Sequence, residues 1–283
     1  MSGKTHQIKP WEELTIADDY MFKLVMRHPK FCRRLIEKIL DIKIRHIDYL
    51  ENEKSLKFRY TGKGIRLDVY VEGDDTIYDI EMQVRNYGDT ELAYRTRYYQ
   101  SMIDVEDLAT GTRMYSELRN SFIIFLCPFA LFDRKRHMYT FRNYCFQDKE
   151  LELNDGTTKI FLCSDGTLDD VSPDIRAFLD YMKGLPVNDE FINQVDNFIK
   201  EIKVREEERK SYMTYEMKLM EAHNDGKAEG RAEGRAEGLE EGSLQKATDM
   251  ALKMLQNNEP IEKIIEYTGL TEQQLQKLTQ LPQ

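Results

Sequence analysis

The sequence lacks several patterns that mark common classes of enzyme and membrane protein. Its four cysteines are scattered without a C-x-x-C pair, which argues against a zinc site or a disulfide framework and suits reduced thiols in a cytosolic protein. The five histidines show no H-E-x-x-H spacing, and no G-x-x-x-x-G-K-[ST] loop is present, so we expect neither a zinc hydrolase nor nucleotide hydrolysis. The longest apolar run, residues 122–132, is interrupted by Pro128 and is too short to span a bilayer. The first residues carry no apolar signal segment. We therefore expect a cytoplasmic protein with no membrane partner.

The chain also lacks an excess of basic residues. Its formal net charge is −10, and its isoelectric point is near 5.2. This balance argues against a strongly basic nucleic-acid-binding coat, although an average charge leaves a locally basic groove open.

The clearest pattern that is present lies in residues 65–84. Apolar residues alternate with polar ones on both sides of the Gly73–Thr76 stretch, which predicts a β-hairpin with one apolar and one polar face. If Asp74 and Asp75 form the turn, Asp68 lies directly opposite Glu81. Two like charges that face each other across a sheet are destabilising, and a bound cation or a retained proton removes the penalty.

Other segments predict a mixed sheet covered by helices. Residues 15–41 have helical spacing in two pieces that are separated near Pro29, and residues 91–109 form a helix rich in aromatic side chains. The near-continuous apolar run of residues 120–127 is typical of a central strand buried on both faces, and residues 138–165 are strand-like. The predicted fold class is therefore α/β, with a mixed sheet and flanking helices.

The C-terminal part of the chain predicts an all-helical extension. We divide the chain into a domain of residues 10–185, a long helical segment of residues 186–242, and a small helical tail of residues 243–283 that resembles a helix-turn-helix. Within the second segment, glycine recurs every fourth residue in an Ala-Glu-Gly repeat. Two interpretations stay open: a soft helix that pairs with another chain and gives a homo-oligomer, or a flexible linker.

The polar face of the hairpin is a candidate metal site. Asp68 and Glu81 are hard oxygen ligands that suit Mg²⁺ or Mn²⁺, and the backbone carbonyl of Met82 is a plausible further ligand. A metal held there activates water and neutralises charge on a phosphoryl oxygen. The alternative is a hairpin face that is simply exposed to water.

Two groups of basic and aromatic residues are candidate contacts to nucleic acid. Arg95, Arg97 and Tyr99 belong to the aromatic helix, and the cluster of residues 134–136 belongs to a loop. Each group either contacts phosphate or is a solvated surface. The loop cluster consists of Arg134, Lys135 and Arg136.

The order and spacing of several short motifs resemble the Rpn family of recombination-promoting nucleases and transposases, which have the PD-(D/E)xK nuclease fold. The resemblance covers roughly residues 10–240 in order. The motifs are LTIADDYMFK at residues 14–23, RLDV at residues 66–69, DIEMQ at residues 79–83, RTRYYQ at residues 95–100, and the Ala-Glu-Gly repeat.

The resemblance implies a restriction-endonuclease-like core that cleaves DNA phosphodiesters with Mg²⁺. It implies that Asp68 and Glu81 hold the metal and that Glu37 orients the metal or a water molecule. Gln83 stands where the family pattern has lysine, and Leu67 stands where it has proline. Glutamine cannot supply a positive charge, but it can position a water molecule through hydrogen bonds.

Two hypotheses of function follow from the sequence. The first is a metal-dependent DNA endonuclease that acts in recombination or on mobile or foreign DNA, which the facing Asp68 and Glu81 favour. The second is a non-catalytic DNA-binding or oligomerising protein with a degenerate nuclease site, which Gln83 and the acidic net charge favour.

Overall fold

The structure, a computed structural model, describes residues 8–49, 55–56, 65–66, 68–73, 75–108 and 114–279. Its contacts divide the chain into two compact units, of which the first ends at Tyr212 and the second begins at Met213. We describe each unit by itself.

The first unit contains both helices and short strands. Its helices are α1 (Asp19–Met26), α2 (Pro29–Leu40), α3 (Asp89–Asp107), α4 (Pro173–Met182) and α5 (Glu190–Lys203), with 3₁₀ turns at Trp11–Glu13 and Tyr115–Glu117. Its strands are β1 (Asp48–Tyr49), β2 (Ser55–Leu56), β3 (Ile65–Arg66), β4 (Val69–Gly73), β5 (Thr76–Met82), β6 (Asn120–Cys127), β7 (Met138–Phe141) and β8 (Thr157–Cys163). Helix α6 (Glu206–Gln256) leads into the second unit, which also contains α7 (Ile261–Thr268) and α8 (Glu272–Thr279).

Six of the strands form one mixed sheet in the order β1-β4-β5-β6-β8-β7. Strands β5, β6 and β8 are parallel, because helices or long connections separate them along the chain, whereas β4 and β7 run antiparallel to their neighbours. The buried strand β6 lies between β5 and β8, as the apolar run of residues 120–127 predicts. The predicted α/β class with flanking helices is confirmed.

The hairpin has the register that alternation and turn counting predict. Val69 is paired with Ile80, and Gly73 is paired with Thr76, which leaves two residues between the strands. Of these two residues, Asp74 lies outside the described part of the chain, and Asp75 has a left-handed backbone with φ of 61°. The same register brings Asp68 level with Glu81.

The two faces of the sheet carry different layers, and β5 contributes to both. Tyr78, Ile80 and Met82 face the larger core, which is built with α1, α2, α4 and α5. The opposite face packs against α3 through apolar side chains such as Ile77 of β5 and Phe125 of β6. Asp79, Glu81 and Gln83 alternate with the first set along the chain, so they belong to the α3 side of the sheet.

Helix α5 belongs to the core of the first unit, whereas our sequence-based division places it in a separate segment that starts at residue 186. Phe191, Val195 and Ile202 of α5 are buried in the larger core, and the Trp11 indole N–H donates to the Lys203 carbonyl at 3.0 Å. The helix also ends at Lys203, where the sequence pattern predicts one continuous helix from residue 189 to residue 223. The apolar stripe of α5 is explained by this packing, which spacing along the chain does not reveal.

The glycine repeat of the second unit is helical. It lies within α6, which is 51 residues long, and the position of a Cβ on each of the five glycines has no described atom within 4 Å. The structure therefore favours the helix over the flexible linker. Farther on, α6, α7 and α8 enclose a small apolar cluster.

The turn between α7 and α8 follows the sequence prediction. Gly269 ends α7 with a left-handed backbone, φ 70°. The Thr271 backbone N–H donates to Gln274 Oε1 at 2.7 Å, and the Gln274 N–H donates to Thr271 Oγ1 at 3.3 Å, which is the capping box that a threonine three residues before a glutamine predicts.

Replacing Gly230 and Gly234 by alanine is expected to stabilise α6 locally. Glycine costs about 1 kcal/mol relative to alanine in a helix, and the added methyl groups meet open space. Amide hydrogen exchange around residues 226–242 should slow about fivefold per substitution. The reverse change Ala232→Gly should accelerate exchange, and equal exchange in all three proteins would show that the segment is not helical in solution.

Two sequence expectations concern membranes and thiols. None of the helices in the described residues is both long enough and apolar enough to cross a membrane. All four cysteines are free thiols, and Cys32, Cys127 and Cys163 are buried, which agrees with the absence of a disulfide framework.

Candidate active site

The hairpin carboxylates meet at the edge of the sheet where the parallel strands end. Asp68 directly precedes strand β4. Its backbone N–H donates to Glu81 Oε1 at 2.9 Å. In return, the Met82 backbone N–H donates to Asp68 Oδ2 at 3.1 Å. The Glu81 side chain is only 2% exposed. Each carboxylate is thus fixed by the backbone of the opposite strand, which leaves one oxygen of each for other partners.

A buried lysine that the sequence analysis did not assign to the site holds the second oxygen of Asp68. Lys23 Nζ lies 2.9 Å from Asp68 Oδ1 and 2.9 Å from Asp19 Oδ2, and its side chain is 5% exposed. Burial lowers the pKa of Lys23, but the two carboxylates outweigh it, so the pKa is raised and the amine is charged. Lys23 is the last residue of the LTIADDYMFK motif. Its place in that motif is the signal in the sequence that could have assigned it to the site.

Arg95 holds the other side of the site. Its Nη1 donates to Gln83 Oε1 at 2.7 Å, its Nη2 donates to the Tyr99 hydroxyl at 2.7 Å, and Nη2 lies 3.6 Å from Glu81 Oε2. Burial lowers the pKa of Arg95, but Tyr99 and the Glu81 carboxylate raise it further. The sequence analysis assigns Arg95 and Tyr99 to DNA binding, whereas the structure brings both to the carboxylates.

Asp79 is a third acid in the same row of β5. It is fully buried, and in the described part of the chain neither of its oxygens meets hydrogen-bond geometry with a partner. Burial and the nearby Asp68 carboxylate raise the pKa of Asp79 well above its ordinary value. Alternation predicts that Asp79 shares a face with Glu81, but the sequence analysis did not assign it to the site.

The same surroundings raise the pKa values of Glu81 and Asp68. Burial, followed by the charges of Asp68 and Asp79, raises the pKa of Glu81 well above its ordinary value. Burial and the charge of Asp19 raise the pKa of Asp68 to about 6, although Lys23 opposes this shift. The site concentrates more negative charge than its neighbouring cations neutralise.

The backbone carbonyl of Met82 lies on the Asp68 side of β5. The Gln83 N–H donates to the Leu126 carbonyl of β6 at 2.9 Å. Because a trans peptide is planar, the Met82 carbonyl in the same peptide points the opposite way, toward the strand that carries Asp68. The Met82 side chain is buried in the core on the other face.

Glu37 is not brought to these carboxylates. Its Oε1 accepts the Ile44 backbone N–H at 3.0 Å, and its Oε2 lies 3.9 Å from Lys43 Nζ. Two residues farther on, the His46 carbonyl abuts Gly73, which is at the opposite end of β4 from Asp68. The carboxylate therefore caps the loop that follows α2, because the end of that helix turns toward the closed end of the hairpin.

The remaining predicted DNA contacts lie outside the carboxylate cluster. Arg97 is exposed on α3, and its guanidinium lies over the Tyr94 ring at 4.8 Å. The loop after β6, which carries Arg134, Lys135 and Arg136, is tied to the start of α3 by the Phe132 N–H, which donates to Asp89 Oδ2 at 2.9 Å. Within that loop, Arg136 is paired with Asp170 at 3.4 Å, while Arg134 and Lys135 are exposed.

The comparison with known families agrees with this geometry. Residues 16–162, just over half of the chain, match the family model described as PD-(D/E)XK nuclease family transposase. The chain belongs to this family. The matched segment contains Lys23, Asp68, Glu81 and Arg95, and the resemblance to Rpn nucleases is thereby confirmed. No curated protein matches the chain.

PD-(D/E)XK nucleases generally use divalent metals, and the carboxylate oxygens of Asp68 and Glu81 are donors of the kind that such ions prefer. Within the described residues, no set of three His, Cys, Asp or Glu side chains is arranged to hold a metal ion, so a metal bound here would rely on the paired carboxylates of Asp68 and Glu81 together with backbone or water ligands. Both carboxylates are hard oxygen donors, and the buried Asp79 carboxyl group, whose raised pKa favours its protonated form, lies close by. A divalent cation would offset the mutual repulsion of the three acids, as the sequence analysis expects for facing carboxylates.

We expect the substitution Asp79→Asn to stabilise the metal-free protein at high pH, because it removes one of three buried acids. Since the pKa values of Asp68, Asp79 and Glu81 are raised, the folded state keeps protons that the unfolded state releases above about pH 4. The stability that these groups contribute is therefore present at low pH and is lost as the pH rises through the folded pKa values. For each proton involved, the free energy of unfolding falls by up to about 1.4 kcal/mol per pH unit.

The test is urea unfolding of both proteins in a chelating buffer from pH 5 to pH 8. The variant should gain stability relative to the wild type as the pH rises from 5 to 8 and should exceed it by at least about 1 kcal/mol at pH 8, because it carries one less buried carboxylate. A variant that is less stable than the wild type at pH 8 would show that Asp79 has a favourable charged partner.

Proposed function

We propose that this chain is a divalent-metal-dependent DNA endonuclease that hydrolyses phosphodiester bonds in recombination or in the processing of mobile or foreign DNA. Membership of a nuclease family of transposases supports the nuclease class. The observation that carries the proposal is the Asp68–Glu81 pair, which the backbone of the hairpin fixes in one place between the cations of Lys23 and Arg95.

Three groups would hold the metal, with Mg²⁺ as the expected ion and Mn²⁺ as a substitute: Asp68, Glu81 and the Met82 carbonyl. When bound, the metal supplies a Lewis acid for a phosphoryl oxygen and lowers the pKa of a bound water molecule. The backbone hydrogen bonds between Asp68, Glu81 and Met82 keep the two carboxylates in register before any ion binds.

Arg95 supplies the positive charge that Gln83 cannot. In the family pattern a lysine follows the second acid by two residues, and here Gln83 uses its amide oxygen to hold the Arg95 guanidinium at 2.7 Å. Tyr99 fixes the other nitrogen of the same guanidinium. The guanidinium is thereby held 3.6 Å from Glu81 Oε2, where it would stabilise charge that develops on a phosphate bound to the metal. The amide nitrogen of Gln83 is left to position water.

The remaining assignments extend the proposal beyond the carboxylates. Arg97, Arg134 and Lys135 are exposed near the same edge of the sheet and suit contacts to phosphate, whereas the contribution of Arg136 is reduced by its pairing with Asp170. A homo-oligomer through the C-terminal helices and a cytoplasmic location stay predictions.

A second candidate is a non-catalytic DNA-binding or oligomerising protein. The observation that favours it is the absence of lysine at position 83, together with the formal net charge of −10. This candidate predicts DNA binding without cleavage under every metal condition.

The two candidates are separated by nicking of a supercoiled plasmid by protein purified in a chelator. We expect no product in the chelator and nicked followed by linear plasmid after addition of Mg²⁺ or Mn²⁺. Absence of product with both metals, in protein that binds the plasmid, would favour the non-catalytic candidate.

A further inference from the structure

An exposed aromatic surface on α3 lies beside the candidate active site. Tyr94 and Tyr98, one helical turn apart, are 55% and 38% exposed, so parts of both rings are accessible to solvent. The Arg97 guanidinium lies over the Tyr94 ring at 4.8 Å. Tyr87, in the segment between Gln83 and α3, is exposed as well. We call Tyr87, Tyr94, Arg97 and Tyr98 the tyrosine patch.

The tyrosine patch is continuous with the carboxylate cluster through the chain itself. Arg95, which holds Gln83 at 2.7 Å, directly follows Tyr94, and Tyr99, which holds Arg95 at 2.7 Å, directly follows Tyr98. Successive residues of a helix differ by about 100° in direction, so one face of α3 serves the carboxylates while the adjacent face carries the exposed rings. A strand that reaches the carboxylates is within range of the tyrosines.

The chemistry of the tyrosine patch suits unpaired nucleobases better than a duplex. Aromatic side chains stack on bases whose faces are accessible, and an arginine beside them pairs with phosphate or stacks on a base. The bases of a duplex are already stacked on one another, so duplex binding depends mainly on cations that neutralise phosphates. Among the described residues of α3 and of the segment between Gln83 and α3, the exposed cations are Arg97 and Arg85, and the exposed Glu91 lies one turn before Tyr94.

The spacing of the rings is also compatible with a nucleic-acid strand. Residues four apart in a helix are separated by about 6 Å along its axis, which is within the range spanned by neighbouring bases in an extended single strand. The arginine between the rings supplies charge complementarity to the phosphates that connect those bases.

From this patch, we propose that the substrate of the candidate nuclease is single-stranded DNA, or an unpaired segment within DNA, whose bases stack on Tyr94 and Tyr98 while the backbone reaches Asp68 and Glu81. This inference rests on the proposed function for the cleavage step, but the binding step can be measured without it.

The test is fluorescence anisotropy of full-length protein with a labelled 20-nucleotide oligothymidine and with a labelled duplex of the same length, in a chelating buffer that prevents cleavage. Wild type should bind the single strand more tightly than the duplex. The double variant Tyr94→Ala/Tyr98→Ala should lose about tenfold or more in affinity for the single strand. Tyr94→Phe/Tyr98→Phe should retain binding, because phenylalanine also stacks.

Tyr115→Ala is the matched control, since Tyr115 is 83% exposed on the segment before β6, at the opposite edge of the sheet. It should bind as wild type does. Duplex binding that equals or exceeds single-strand binding, or an alanine double variant that binds the single strand like wild type, would overturn the inference.

Cleavage assays with the same oligonucleotides separate this inference from the proposed function. Tight single-strand binding that depends on Tyr94 and Tyr98, without cleavage in Mg²⁺ or Mn²⁺, would support the patch and contradict the nuclease. Cleavage of duplex at an equal rate by wild type and the alanine double variant would support the nuclease and contradict the patch.

Discussion

Asp68→Asn and Glu81→Gln are each expected to reduce DNA cleavage by about 100- to 10,000-fold, the range typical for loss of a group that acts on the reacting atoms. Both substitutions keep the shape of the side chain and remove the charge that would hold the metal. Neither should unfold the protein, because Asp68→Asn leaves Lys23 paired with Asp19 at 2.9 Å and Glu81→Gln neutralises an acid whose burial raises its pKa. The measurement is single-turnover cleavage of labelled DNA at saturating protein and Mg²⁺.

Glu72→Gln is the matched control for these two variants. Glu72 is on the same hairpin, but it is paired with Arg119 at 2.6 Å, four residues along the chain from Asp68. Its loss should leave the cleavage rate within about twofold of wild type, since it removes only a partly exposed ion pair worth at most about 1 kcal/mol of stability. Cleavage by Asp68→Asn at the wild-type rate would remove the hairpin from the mechanism.

Substitutions at Gln83 and Arg95 should slow cleavage when each is made alone and restore it when the two are combined. Arg95→Gln removes the cation beside Glu81 and is expected to slow the chemical step by about 100- to 1,000-fold, as loss of one donor to a developing charge does. Gln83→Lys alone places an amine where an amide oxygen accepts from Arg95 at 2.7 Å, so repulsion should displace both cations. The double variant Gln83→Lys/Arg95→Gln returns one cation to the site and should recover to within about tenfold of wild type.

The design distinguishes a role in chemistry from a role in DNA binding. If Arg95 only contacts the DNA backbone, which is one of the two interpretations that the sequence leaves open, Arg95→Gln should weaken binding and leave the rate at saturating protein unchanged, and lysine at position 83 should give no rescue. Single-turnover rates and anisotropy on all four proteins measure the two effects separately.

Features set by local patterns could be predicted from the sequence. The hairpin register follows from alternation and a two-residue turn, so the hydrogen bonds between Asp68, Glu81 and Met82 agree with the expected pairing. The buried strand β6 and the Thr271–Gln274 capping box likewise depend on residues close together in the chain.

Features set by packing between distant elements could not be predicted. Lys23 meets Asp68 only because α1 packs beside the start of β4, and Glu37 misses the carboxylates because α2 ends near the closed end of the hairpin. In the same way, the stripe on α5 fits either a free helix or a core helix until its partner Trp11 is known. The sequence indicates Arg95 as a candidate contact to nucleic acid, but its contact with Gln83 in the structure makes it part of the carboxylate site.

The central claim is that Asp68 and Glu81 together hold a divalent ion, and Mn²⁺ binding followed by electron paramagnetic resonance tests it without reference to activity. Titration of wild-type protein with Mn²⁺ should diminish the signal of the free ion until one tight site is filled. The double variant Asp68→Asn/Glu81→Gln should leave that signal at the level of protein-free buffer over the same range. Equal uptake of Mn²⁺ by both proteins would contradict the account.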